Sequence, residues 1–199
     1  AEVHCVEADL TTVAGVAHTM EMLRQKGPAN YLVNNAGFST FGNFSETPIE
    51  GQRQMLSLHI DATMTLCRAA IPFMQERGGG RIINVSSLVT MASGRGVAVY
   101  GASKAFLNYF SQALQEELAG SGIKVQALCP GFTRTQFHDG MSQYGFDRDK
   151  IPEQFWMESA DVVQASLAAL EGDQVLVVPG QGNQAIARAG LEQQTGLLQ

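Results

Sequence analysis

Cysteine is scarce in this 199-residue chain: Cys5, Cys67 and Cys129 are odd in number, widely spaced and without a C-x-x-C pair. That excludes a disulfide framework and the common zinc modules, and a reducing cytoplasm is the expected setting. Positive charge is also short, with 13 Lys and Arg against 19 Asp and Glu for a net −6. Phosphate-neutralising surface is therefore not advertised, and neither nucleic acid nor anionic membrane is an expected partner. Long apolar runs are missing. The longest stretch built only of large aliphatic residues, Val175–Val178, falls far short of the ~20 residues that cross a bilayer. His4, His18, His59 and His138 lack metal-ligand spacing, so no metal is expected.

What the chain does have is 45% hydrophobic and 16% charged residues, a globular composition in a length that suits one domain, residues 1–199. Short β-branched or aliphatic runs at Val3–Val6, Tyr31–Val33, Arg81–Val85, Lys124–Leu128 and Gln174–Val178 read as buried parallel strands separated by helical crossovers. The fold class is α/β, a doubly wound, Rossmann-like parallel sheet. The first strong helix follows Ser45–Pro48, with Met55, Leu58, Ala62, Leu66, Ala69 and Phe73 as its stripe and Pro72 expected to kink or end it. A second helix starts near Tyr100, puts Phe106, Phe110, Ala113 and Leu114 on one face and Gln115–Glu117 away from it, and stops at Gly120–Gly122. A third is expected to be N-capped by Ser159, with Val162, Val163, Leu167 and Leu170 inward and Gly172 as its stop. Residues 132–158 have no sustained period yet carry Phe132, Phe137, Met141, Tyr144, Phe146, Phe155, Trp156 and Met157. So long a greasy connection reads as a substrate lid or as an aromatic cap on the core.

Tyr100 and Lys104 stand four positions apart at a helix start and so share a face. Alone the pair is a weak signal. Ser87, however, closes a strand, Asn34-Asn35-Ala36-Gly37 closes the strand before it, and Pro130-Gly131 with Thr133 closes the strand after it. Ligands of open α/β sheets bind at such strand ends.

In this order, N-N-A-G, Ser, Y-x-x-x-K and P-G-x-x-T make the whole chain resemble the short-chain dehydrogenase/reductase family, with ketoacyl reductase-like and hydroxysteroid dehydrogenase-like features. The resemblance implies an NAD- or NADP-dependent oxidoreductase that interconverts a carbonyl and a secondary alcohol on an apolar substrate. By that resemblance Tyr100 exchanges a proton with the substrate oxygen and Ser87 hydrogen-bonds that oxygen. Lys104 lowers the Tyr100 pKa and holds the nicotinamide ribose. Asn35, Ala36 and Gly37 line the cofactor, Pro130, Gly131 and Thr133 its carboxamide side, and Asp9 with Leu10 the adenine. The family also implies a homodimer or homotetramer through the outer faces of helices Glu50–Arg77 and Tyr100–Leu118, including Thr63, Cys67, Tyr109 and Ala113.

Two departures stand out. His59 replaces the Asn expected to support a proton relay, either carrying the relay itself or resting as a satisfied helix histidine. No G-x-x-x-G-x-G follows a strand, so the fold is expected to be N-terminally truncated, with the first two βα units absent. Strand Val3–Val6 is then expected to shift, detach or find a partner chain, and the 199 residues alone are expected to bind no measurable cofactor. A catalytically inactive remnant kept as an interaction module is the alternative reading.

Overall fold

The computed structural model of the protein describes residues 3–27 and 29–196. Helix α1 (Val13–Lys26) leads into strand β1 (Tyr31–Asn34). One long helical rod follows in three pieces: α2 (Ile49–Leu56), a π-helical turn (Ser57–Ala62) and α3 (Thr63–Glu76). Then come β2 (Gly80–Val85), α4 (Ala98–Glu117), β3 (Ile123–Leu128), the short strands β4 (Thr133–Arg134) and β5 (Met157–Glu158), α5 (Ser159–Ala169), β6 (Leu176–Val177) and α6 (Gln181–Gly196). The main sheet is parallel throughout, in the order β1-β2-β3-β6.

Alternation along β2 and β3 feeds two layers of core. Ile82 and Val125 meet Cys67, Ala70 and Met74 of α3 and Leu114 of α4 on one face. On the other, Ile83 and Leu128 meet Val162 of α5, Leu170 just after it and Val177 of β6. The fold is therefore doubly wound, and each fully buried aliphatic side chain in these layers contributes ~1.5–3 kcal/mol. No helix among the described residues is long and apolar enough to cross a membrane.

Several expectations are corrected. Val3–Val6 forms no strand: residues 3–9 have no regular structure and Val3 is 80% exposed. A strand is stable only against a neighbour, and nothing in the main sheet pairs with this run. Of the three expected outcomes, a shift beside the second strand is not the one seen. β1 is not buried either, because it is an edge strand with Tyr31 and Val33 half exposed. Pro72 does not end its helix, which runs on to Glu76. The irregularity lies upstream at the π turn, whose extra residue rotates the inward stripe from Leu66, Ala69 and Phe73 to Leu66, Cys67, Ala70 and Met74.

On α4 the inward residues are Ser103, Lys104, Leu107, Ser111 and Leu114, a more polar face than expected. Gln115 does not turn away, since its Oε1 accepts the Val125 N–H at 2.7 Å. Glu158 rather than Ser159 caps α5. Val163 and Leu167 face outward, while Val162, Ser166 and Leu170, spaced by four, face inward. Thr63 and Cys67 are buried and belong to no outer face. The segment between β4 and β5 is closed at its base by parallel pairing of Thr133 with Met157 and Arg134 with Glu158. A salt bridge joins Arg134 to Glu158 at 2.9 Å.

Candidate active site

The carboxyl ends of β1, β2 and β3 and the first turns of α4 converge on one spot. Ser86, buried at the end of β2, donates from Oγ to the Lys104 carbonyl oxygen at 2.9 Å, pinning α4 to the strand end. Its backbone N–H donates to Leu128 O at 2.7 Å, and the next residues tie across through Leu88 N–H to Pro130 O at 2.9 Å. Ser87 is extended (φ −163°, ψ 150°) and accepts from Val89 N–H as the cap of a short 3-10 turn. Its side chain also hydrogen-bonds the Tyr100 hydroxyl.

Lys104 is buried, 5% exposed, and donates from Nζ to Val85 O at 2.8 Å. Nζ lies 5.8 Å from the Tyr100 ring centroid. His59, fully buried on the π turn, meets the Tyr100 ring edge-on with centroids 5.9 Å apart. Gly37 closes the cluster: a Cβ there would stand 2.8 Å from His59 Nε2 and 3.6 Å from Lys104 Nζ. Only glycine admits both side chains at that point.

Electrostatics follow from burial. Burial pushes the Tyr100 phenol up to about 12, although the Ser87 hydrogen bond pulls the other way. Loss of water around the phenolate is the larger of these two effects. Burial also brings the Lys104 ammonium down to about 8, with the neighbouring Cys129 thiol opposing it. Burial first, then the Lys104 charge, holds His59 down to about 3. At neutral pH the site is a neutral phenol, a largely cationic lysine and a neutral imidazole.

The His59 shift makes a stability prediction. An unfolded His takes its proton near ~6.5, whereas the folded one refuses it until about pH 3. The unfolded chain thus binds more protons in that window, and the contribution, fully present above 6.5, is lost as pH falls towards 3. His59→Asn is expected to reduce the loss of stability between pH 7 and 4.5 by a few kcal/mol, as read from urea unfolding of both proteins at each pH. Equal losses in the two proteins would contradict the burial assignment.

Ser87, Tyr100, Lys104, His59 and Gly37 are brought together; Pro130, Gly131 and Thr133 follow β3 alongside, with Thr133 Oγ1 donating to Gly131 O at 3.1 Å. Asn35 and Ala36 are exposed just before Gly37. Asp9 and Leu10 are not part of the cluster. The Asp9 carboxylate accepts from Thr11 N–H at 2.9 Å and Thr11 Oγ1 at 2.7 Å. Asp9's backbone oxygen accepts from Thr12, the N-cap of α1. The aromatic segment between β4 and β5 reaches the site. Phe137 sits 6.0 Å from the Tyr100 ring, and His138, Phe132, Phe146 and Trp156 pack behind it. Sequence reasoning missed Ser86 and Ser103, whose roles depend on partners remote in the chain.

The sequence model for short chain dehydrogenases matches residues 1–144. Human 3-oxoacyl-[acyl-carrier-protein] reductase is 33% identical over 177 residues, covering 86% of this chain and 74% of its own. Ketoacyl reductase HetN of Nostoc is 39% identical over 109 residues, 53% of this chain and 37% of its own. A solved short-chain dehydrogenase from Sphingobium yanoikuyae, in complex with NADPH, is similar at TM-score 0.80 and 34% identity over 96% of this chain and 73% of its own. One from Streptomyces avermitilis gives TM-score 0.82 at 27% identity, with shares of 97% and 76%. The protein is a Rossmann-like α/β protein with its polar cluster at the strand ends, and it belongs to the short-chain dehydrogenase/reductase family.

Proposed function

We propose that the protein interconverts a carbonyl and a secondary alcohol on an apolar substrate with NAD or NADP, using Tyr100 as general acid and base. The observation that carries this reading is the cluster of Ser87, Tyr100 and Lys104 at the strand ends, with Gly37 leaving room beside them. The NADPH bound by the similar Sphingobium enzyme supports it.

The cofactor's nicotinamide half fits the residues present. Lys104 Nζ has donors beyond the one given to Val85, and Gly37 offers a surface without a side chain. Pro130, Gly131 and Thr133 would border it. Asp9, exposed ahead of α1, gives only Oδ1 to Thr11, so its second carboxylate oxygen can take a donor on the adenine side. When bound, the cofactor supplies the hydride.

The chain's own residues handle the proton. Tyr100, protonated at neutral pH, gives its proton to the substrate oxygen as negative charge develops there, and Ser87 hydrogen-bonds the same oxygen. The Lys104 ammonium offsets the phenolate left behind. Phe137 and the aromatic cluster behind it shed water and favour an apolar group next to the carbonyl. Assembly as a homodimer or homotetramer through the outer faces of α3 and α4, where Met64 and Tyr109 stand exposed, belongs to the same reading.

The test is carbonyl-dependent oxidation of NADPH or NADH by the full-length protein, followed by nicotinamide absorbance. Apolar ketones and β-ketoacyl thioesters are expected to turn over, and small polar ketones poorly. No turnover of any carbonyl with either cofactor would overturn the proposal.

A further inference from the structure

His59 has one nitrogen committed and one left over. Ser103 stands on the same face of α4 as Tyr100 and Lys104, at steps of three and four, and is fully buried. Its hydroxyl donates to the Tyr100 carbonyl oxygen at 2.7 Å. A hydroxyl has one proton, so the 2.9 Å contact between Ser103 Oγ and His59 Nδ1 requires the ring nitrogen to donate. That fixes the tautomer. Nε2 is then a bare acceptor, buried and without a hydrogen-bond partner among the described residues. It borders the same point beside Gly37 that Lys104 Nζ borders, at 2.8 and 3.6 Å respectively. Tyr100 and Lys104 of α4 and the Phe38 ring, 6.4 Å away, face the imidazole, and of these Lys104 carries the charge.

A buried lone pair beside a buried ammonium is a place for a donor. Were the tautomer reversed, an Nε2–H would face the side that Lys104 Nζ already borders with its own N–H groups, leaving donors on both sides and no acceptor between them. The seryl hydroxyl prevents this.

We propose that Ser103 is a positioning residue, which locks His59 in the Nδ1–H form so that Nε2 offers a fixed lone pair on the side that the Lys104 ammonium borders. His59 thus takes part as a permanent acceptor and not by cycling its charge. This rests on the reading of Tyr100 and Lys104 as the proton-handling pair, but the tautomer can be measured without any turnover.

Long-range 1H–15N correlation spectra at pH 7 report which ring nitrogen carries the proton, with the His59 signals identified by their loss in His59→Asn. The wild-type protein is expected to show Nδ1–H, and Ser103→Ala to lose that signature in favour of an Nε2–H population. In parallel, Ser103→Ala is expected to lower kcat by roughly 10–100-fold, by analogy with the effect of removing the group that orients a metal-bound histidine. KM should stay nearly unchanged, and Ser103→Thr, which restores the hydroxyl, should recover both the spectrum and the rate. An Nε2–H wild type, an unaltered Ser103→Ala spectrum, or an altered spectrum with undiminished kcat would each overturn the role given to Ser103. Should Ser103→Ala not fold, the wild-type spectrum and the Ser103→Thr rate decide. A correct tautomer in a protein that reduces no carbonyl would instead overturn the functional reading beneath it.

Discussion

Tyr100→Phe is expected to cut turnover of the full-length protein by roughly 10²–10⁴-fold, the usual worth of a placed general acid. The ring stays and only the hydroxyl goes. Its edge contact with His59 and its packing against Phe137 involve the ring itself and should survive, so the fold is expected to be unaffected. Ser87 loses one hydrogen-bond partner but keeps Val89 N–H, and its environment is only half buried, which limits the cost to stability. The measurement is kcat and KM for an apolar ketone beside the urea midpoint of the same preparation. A large loss in kcat with an unmoved midpoint supports the assignment, and a variant within tenfold of wild type removes Tyr100 from the proton step.

How much of this could be read from residues alone depended on how local the cause was. Strands β2 and β3 were readable because a parallel strand buried on both faces is mostly apolar, as Ile82, Ile83 and Val85 and Val125, Ala127 and Leu128 are, while the buried Asn84 and Gln126 between them are satisfied by Ser111 and by the Ser166 carbonyl. Val3–Val6 has the same local character and fails as a strand, because pairing is a property of the neighbour. Helix α6 went unnoticed for the converse reason: its buried positions are Asn183, Ala187 and Gly190, so close approach rather than an apolar stripe holds it. A Cβ on Gly190 would come within 2.1 Å of the Met91 carbonyl oxygen. The π turn has no sequence signature in a count of three and four, yet it places His59. Ser87, Tyr100 and Lys104 were found because the strand ends and the i, i+4 spacing are local. Ser103 was not, since its meaning comes from a histidine 44 positions away.

Lys104→Met should separate function from stability, moving them in opposite directions. Burial lowers the ammonium from 10.5 to about 8, which says that at neutral pH the folded state carries a charge it would be more stable without. An unbranched apolar side chain of similar length fills the space, removes the desolvation cost, and sacrifices one hydrogen bond to Val85 O. Replacements of buried charge by apolar residues range from neutral to stabilising by about 1–4 kcal/mol. Turnover, by contrast, loses the cation that offsets the Tyr100 phenolate and the donors beside Gly37, and is expected to fall by roughly 10²-fold or more. The pH dependence makes the stability half of the prediction specific. Between pH 8 and 10.5 the unfolded chain holds the lysine proton and the folded one does not, so wild-type stability rises with pH across that window. The methionine variant gains nothing there, and its advantage at pH 7 should shrink steadily by pH 9.5, before Tyr100 ionisation in the unfolded chain intervenes. Urea unfolding of both proteins at pH 7 and pH 9.5 measures this directly: a variant that is less stable at pH 7, or a gap that widens with pH, would show that Lys104 is held in place by its charge rather than in spite of it.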